Sequence, residues 1–160
     1  MVWQTELFPK ASKTEIQRTK FLLSKYKSMK LLMADFEQNE DEMQQVAIDG
    51  EVARRIDEED LHADKTANAV VLMEKQRWVY QQYRFYTRQL QRAAALIQDE
   101  EAGKAVQFRY LDGYSFKETV LFFRNSMSDS TIRRKLTEGT ASIANTLKLF
   151  GFFEQDDAEF

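Results

Sequence analysis

Two adjacent arginines, Arg133 and Arg134, are the residues of this 160-residue chain whose type and spacing best fit a chemical task. They lie between Ile132 and Leu136, a spacing that places these two apolar side chains on one face of an α-helix. The outer face then carries Ser130, Arg133, Arg134 and Thr137. Arginine can donate two hydrogen bonds to O6 and N7 of guanine, and hydroxyl groups suit phosphates or base edges. The pattern favours contact with double-stranded DNA.

Such a helix needs neighbours that hold it, and the capping residues predict them. Ser128 is a typical N-cap for this helix, and Ser115 has the same role for a shorter helix before it. A third short helix is predicted over 100–111 and ends at Asp112-Gly113, because glycine adopts the left-handed cap conformation without strain. Three short helices, the last two joined by a tight turn over 124–127, are what a helix-turn-helix requires. We predict this motif within residues 99–153.

Further groups in this segment suit the DNA backbone. The free amides at the start of the helix offer a phosphate site, and Lys117 and Arg124 are expected to contact phosphate. The alternative interpretation is a plain three-helix bundle in which the run Arg133-Arg134-Lys135 is only solvated. Spacing alone favours DNA binding over this alternative.

Before residue 99 the sequence predicts two long helices. Ser12 and Glu15 form a capping box, so the first helix begins near residue 13 and runs to about 46, and Pro9 marks an extended arm before it. The second helix runs from about 64 to 98. Its apolar residues recur at heptad-like spacing, which predicts an antiparallel pairing with the first helix or a dimer contact.

The fold class that follows is all-α, a long N-terminal helical hairpin over 1–98 and a helix-turn-helix domain over 99–153, with an acidic tail over 154–160. The chain has one proline and five glycines, and good helix formers fill most of the rest. An acidic segment over 37–64 leaves two readings open: a charged helix interrupted at Asp49-Gly50, or a mobile linker.

The net charge of −3 hides a strongly uneven distribution. Residues 1–34 and 65–98 each carry +5, residues 35–64 carry −10, and the last ten residues carry −4. Basic helices are thus separated by an acidic segment. A near-neutral average therefore does not exclude a nucleic-acid partner.

The residue inventory argues against an enzyme. The absence of cysteine excludes disulfides, thiolate catalysis and cysteine-based zinc sites. His62 is the only histidine, too few nitrogen ligands for a zinc site, and it is expected to be solvated. No phosphate-binding glycine loop or nucleophile elbow occurs. We predict no catalytic, cofactor or metal site, no membrane span, and a cytoplasmic location.

Residues 109–147 resemble the C-terminal part of the ArpU-like phage transcriptional regulators, which is similar to region four of sigma factors. The shared residues include Arg109-Tyr110-Leu111, Tyr114-Ser115, Lys117-Glu118, Ser128, Ser130-Thr131-Ile132, Arg134, Ala144 and Leu147. Near the N-terminus, Glu6-Leu7-Phe8-Pro9 with Thr19, Leu23 and Tyr26 is similar to that family's first segment. The turn over 124–126 is longer here than in the family, which leaves the register of the recognition face open.

The resemblance implies a phage or prophage regulator of late genes that binds upstream of a promoter in a bacterial host. The predicted DNA-binding residues are Ser128, Ser130, Thr131, Arg133, Arg134, Thr137, Lys117 and Arg124. RNA polymerase is a further candidate partner, through the acidic run, although such a run is more often only a solvated face. A homodimer is an open alternative. Two other functions compete: a phage small terminase subunit, and a helical adaptor that binds protein through the heptad-like seam and the apolar C-terminal end.

Overall fold

The chain is α-helical in the computed structural model, which describes residues 2–56 and 60–157. Its elements are α1 (Val2–Leu7), α2 (Lys13–Ile56), α3 (Asp60–Ala95), α4 (Glu100–Val106), a π-helical turn (Gln107–Leu111), α5 (Phe116–Phe122), α6 (Asp129–Leu149) and α7 (Phe152–Asp157). No strand occurs in these ranges, so the predicted all-α class is confirmed. None of the helices described is long and apolar enough to cross a membrane.

Helix α2 begins where its capping box predicts. The Ser12 hydroxyl accepts a hydrogen bond from the Glu15 amide at 3.2 Å, and the Ser12 amide donates to the Glu15 carboxylate at 2.8 Å. The extended arm predicted before Pro9 is wrong for most of its length, because Val2–Leu7 is helical. A proline restricts only the residue before it, so the non-helical stretch is confined to residues 8–12.

Both long helices differ from their predicted lengths. Helix α2 continues past residue 46 to Ile56, and α3 begins at Asp60 and ends at Ala95. The helix runs through Gly50, since one glycine in a helix interior costs only about 1 kcal/mol relative to alanine. The acidic segment is thus helical over 37–56 and 60–64. Residues 57–59 lie outside the described residues, as does the side chain of His62.

Two compact units divide the chain: residues 1–28 together with 86–160, and residues 29–85. Within residues 29–85, the Phe36 ring stacks on the Tyr80 ring with centroids 4.9 Å apart. The Tyr80 hydroxyl donates to the Glu37 carboxylate at 2.6 Å. Tyr80 of α3 therefore contacts α2 in this unit. The domain limits inferred from sequence remain a prediction.

In the unit formed by residues 1–28 and 86–160, α6 packs closely on α4. Ile132 and Leu136, which helical spacing places on one face, are buried, and Ile143 and Leu147 continue the same buried stripe. A Cβ atom built on Gly139 would lie 2.5 Å from Cγ2 of Val106, so the glycine permits the close approach. The C-terminal aromatics Phe152 and Phe153 are also buried and complete this core.

A π-helical turn separates α4 from α5, where the sequence predicted a continuous short helix from 100 to 111. The Asp112 amide donates to the Gln107 carbonyl at 2.8 Å, an i→i−5 bond. Gly113 follows with φ of 82°, the left-handed conformation predicted for it. The turn buries the Tyr110 ring and leaves the neighbouring Arg109 partly exposed.

Candidate nucleic-acid interface

Helix α6 carries most of the predicted contact residues, and its first turn is built around Ser128. The Ser128 hydroxyl accepts a hydrogen bond from the Thr131 amide at 3.3 Å, which is the predicted N-cap. Its oxygen also lies 3.2 Å from the Ser130 hydroxyl and 2.9 Å from the Thr131 hydroxyl. Ser128 and Ser130 are exposed and Thr131 is half-buried. The helix therefore presents a cluster of three hydroxyl groups at its N-terminus.

The turn before α6 is compact despite its length. The Phe123 carbonyl accepts hydrogen bonds from the Ser126 and Met127 amides at 2.9 and 2.8 Å, and from the Ser126 hydroxyl at 3.2 Å. Phe123 and Met127 are buried. The longer turn is thus closed onto one carbonyl and anchored by two apolar side chains.

Arg133 lies exposed between α6 and α5. Its guanidinium carbon is 4.8 Å from the centroid of the Phe116 ring, within the range of a cation–π contact. Thr137 is exposed one turn further on, and its hydroxyl donates to the Arg133 carbonyl at 2.9 Å. The aromatic ring restricts the arginine side chain while leaving its nitrogen donors available.

The three basic residues 133–135 have different environments. Arg134 is 65% exposed and approaches the Glu138 carboxylate at 3.7 Å, a weak surface pair. Lys135 is only 14% exposed and donates to the Asp99 carboxylate at 2.6 Å. Lys135 thus links α6 to the N-cap residue of α4, whereas the two arginines face solvent. This difference between Lys135 and the two arginines has no local sequence signal, because Asp99 is distant along the chain.

Helix α5 contributes the remaining predicted contacts. The Ser115 hydroxyl accepts a hydrogen bond from the Glu118 amide at 3.1 Å, so α5 starts at the predicted cap. Lys117 is exposed in its first turn and Arg124 is exposed in the turn that follows the helix. Within the described part of the chain, neither cation forms an ion pair.

Two further cations, which the sequence did not single out as contact residues, lie beside Arg133. Lys20 of α2 and Arg109 of the π-helical turn line the same groove as Arg133 and Thr137, with a volume of about 540 Å³. Arg109 stood in the family pattern without a role of its own, and Lys20 was one of several lysines between apolar positions. Their proximity depends on tertiary packing, which a motif does not record.

The predicted DNA-binding residues therefore all lie in one compact unit, but they differ in exposure and in structural role. Ser130, Arg133, Arg134 and Thr137 are exposed on α6, Lys117 and Arg124 are exposed on and after α5, and Ser128 and Thr131 form the cap. Comparison with protein families, with curated proteins and with solved structures gives no match for this chain.

Proposed function

We propose that this protein is a sequence-specific double-stranded DNA-binding regulator whose recognition helix is the N-terminal half of α6. The observation that carries the proposal is Arg133, an exposed guanidinium held against the Phe116 ring and free of ion pairs among the described residues. Buried apolar residues on the other face of the helix orient this arginine outward. Such a restrained donor loses little conformational freedom on binding a base.

In this proposal each exposed group has a distinct task. Arg133 and Arg134 donate to guanine in the major groove, and Ser130 and Thr137 contact base edges or phosphates. Lys117 and Arg124 neutralise phosphates on the flanking backbone. The capped first turn of α6, at Ser128 and Thr131, lies against the sugar-phosphate backbone.

The biological setting is inferred from the resemblance to ArpU-like regulators. We propose control of phage or prophage late genes in the cytoplasm of a bacterial host. The acidic α2 segment would then face a basic surface of RNA polymerase, since opposite charges steer association.

The proposal is tested by selecting bound duplexes from a random pool. The wild-type chain should enrich a defined site, and Arg133→Ala should bind that site about 1–3 kcal/mol more weakly because a bidentate base contact is lost. Arg134→Ala should have a smaller effect than Arg133→Ala, since Arg134 is partly engaged with Glu138.

Lys104→Ala is the matched control, a cation on α4 that pairs with Glu100 at 3.0 Å on the surface. It should leave the selected site and its affinity unchanged. Failure of the wild type to enrich any sequence would refute the proposed function. Equal binding by wild type, Arg133→Ala and Arg134→Ala would refute the assigned face.

A protein-binding adaptor is the second candidate, because residues 29–85 expose several large apolar side chains. Each is more than half exposed: Leu31, Leu32, Val71, Leu72 and Trp78. Where such side chains form a contiguous patch, they mark a protein contact. A partner bound through them would be held by apolar burial, so its affinity would change little with salt.

A further inference from the structure

A groove in the unit of residues 1–28 and 86–160 gathers three cationic side chains from three separate elements. Lys20 comes from α2, Arg109 from the π-helical turn and Arg133 from α6, around a volume of about 540 Å³. The rest of the lining is aromatic, apolar or hydroxylic: Ile16, Tyr110, Phe116, Leu136, Thr137 and Thr140. No carboxylate contributes to the lining.

The three cations lack a counter-charge in the part of the chain that the structure describes. Among the described residues, none of Lys20, Arg109 and Arg133 forms an ion pair. Arg109 is held in place by a hydrogen bond from Nη1 to the Tyr114 carbonyl at 2.9 Å, and that acceptor is neutral. Like charges around one groove repel one another, and an anion between them relieves that repulsion.

The position of the groove identifies the anion. Arg133 and Thr137 form one of its walls, and both belong to the face of α6 proposed to contact DNA. A strand that crosses this face passes the mouth of the groove. A phosphodiester carries one negative charge and two acceptor oxygens, which suit the Lys20 ammonium and the Arg109 guanidinium, and Arg133 stays available for guanine.

We infer that the groove receives a backbone phosphate of bound DNA and that Lys20, on a helix outside the helix-turn-helix, is a phosphate contact. The inference rests on the proposed function and extends it, because it gives α2 a part in DNA binding. A phosphate contact carries no sequence information, so Lys20 strengthens binding to every duplex by the same factor.

The test measures affinity for the selected site and for a scrambled duplex at several salt concentrations, comparing the wild type with Lys20→Ala. Loss of one phosphate contact should make the slope of log affinity against log salt about 0.9 shallower. At about 0.1 M salt this corresponds to roughly eightfold weaker binding on both duplexes. Lys20→Arg should retain the wild-type slope, since it keeps the charge.

Lys25→Ala is the matched control. Lys25 is an exposed lysine on the same helix that lies beside Phe21 and does not line the groove. Its substitution should leave the slope unchanged, and thermal melts of both variants should match the wild type because both side chains are exposed.

Failure of the Lys20 phosphate contact and failure of the proposed DNA-binding function give different results. If Lys20→Ala and Lys25→Ala behave alike while Arg133→Ala weakens binding, the phosphate contact is overturned and the proposed function stands. A loss by Lys20→Ala on the selected site alone would also overturn it, since that would indicate base recognition. A wild-type chain that binds neither duplex overturns both.

Discussion

Gly139 shows how a single residue controls the approach of α6 to α4. An added Cβ would lie 2.5 Å from Cγ2 of Val106 and 3.4 Å from the Ala102 carbonyl oxygen. Val106 is fully buried and β-branched, so it cannot move aside easily. We expect Gly139→Ala to lower the free energy of unfolding by about 1–3 kcal/mol, as measured by urea denaturation.

Gly103 provides the control, because it also lies in a helix but has room. Its added Cβ would meet only Ile97 side-chain atoms, at 3.9 Å. Gly103→Ala should therefore raise the free energy of unfolding by about 0.5–1 kcal/mol, through the helix preference of alanine. A stabilising Gly139→Ala would contradict the close packing of α6 on α4.

The two glycines also mark what a sequence can predict at the scale of residues. Whether Gly139 weakens α6 or serves close packing depends on Val106, which is far away in the chain. The caps at Ser12, Ser115 and Ser128 were predicted correctly because each partner lies three residues away.

At the scale of elements, the contact between Asp99 and Lys135 joins α4 to α6. The hydrogen bond from Lys135, with a second from the Ala102 amide, lowers the pKa of the Asp99 carboxyl. The same contact raises the pKa of Lys135. Its contribution to stability is therefore complete between about pH 4 and pH 10, the ordinary values of the two groups in an unfolded chain.

We expect Asp99→Asn to destabilise the protein throughout this range while keeping the helix cap, since asparagine is as good an N-cap as aspartate. Below about pH 4 the wild type loses the contribution as Asp99 is protonated, so the two curves of unfolding free energy should converge. Urea denaturation at a series of pH values measures this.

Glu100→Gln is the control for the comparison of unfolding free energy between Asp99→Asn and the wild type. Its exposed pair with Lys104 should contribute little, so the variant should follow the wild type closely at every pH. A constant offset between Asp99→Asn and the wild type down to pH values well below 4 would show that the charge of Asp99 is irrelevant.

Whether an element boundary could be predicted also depended on whether its cause lies near or far along the chain. The start of α2 follows from its capping box, but its continuation through Gly50 and the π-helical turn at Gln107–Leu111 have no local signal. The predicted face of α6 followed from helical periodicity, while the groove beside it combines residues from α2, the π-helical turn, α5 and α6. That combination exists only after the chain has folded.

The net charge of the whole molecule differs in sign from the net charge of the unit that carries α6. Residues 1–28 and 86–160 contain 16 Lys/Arg and 13 Asp/Glu, a net charge of +3, whereas residues 29–85 contain 7 and 13, a net charge of −6. The unit that carries α6 is thus positive although the chain is negative. A nucleic-acid partner is therefore compatible with the acidic average.

This division of charge leads to a prediction about salt. With about four cations on phosphates, the slope of log affinity against log salt should be near −3.6, so raising salt from about 50 to 200 mM should weaken DNA binding by a factor of about 150. Fluorescence anisotropy on a labelled duplex measures this loss of affinity. Light scattering on the same samples separates a monomer or dimer from the ring expected of a small terminase subunit.

The protein-binding alternative predicts a different salt response. A partner bound through the apolar side chains of residues 29–85 would keep its affinity over this salt range, because apolar burial releases no counterions. Affinity for a protein partner that does not change with salt, together with no binding to any duplex, would therefore favour the adaptor function over DNA binding.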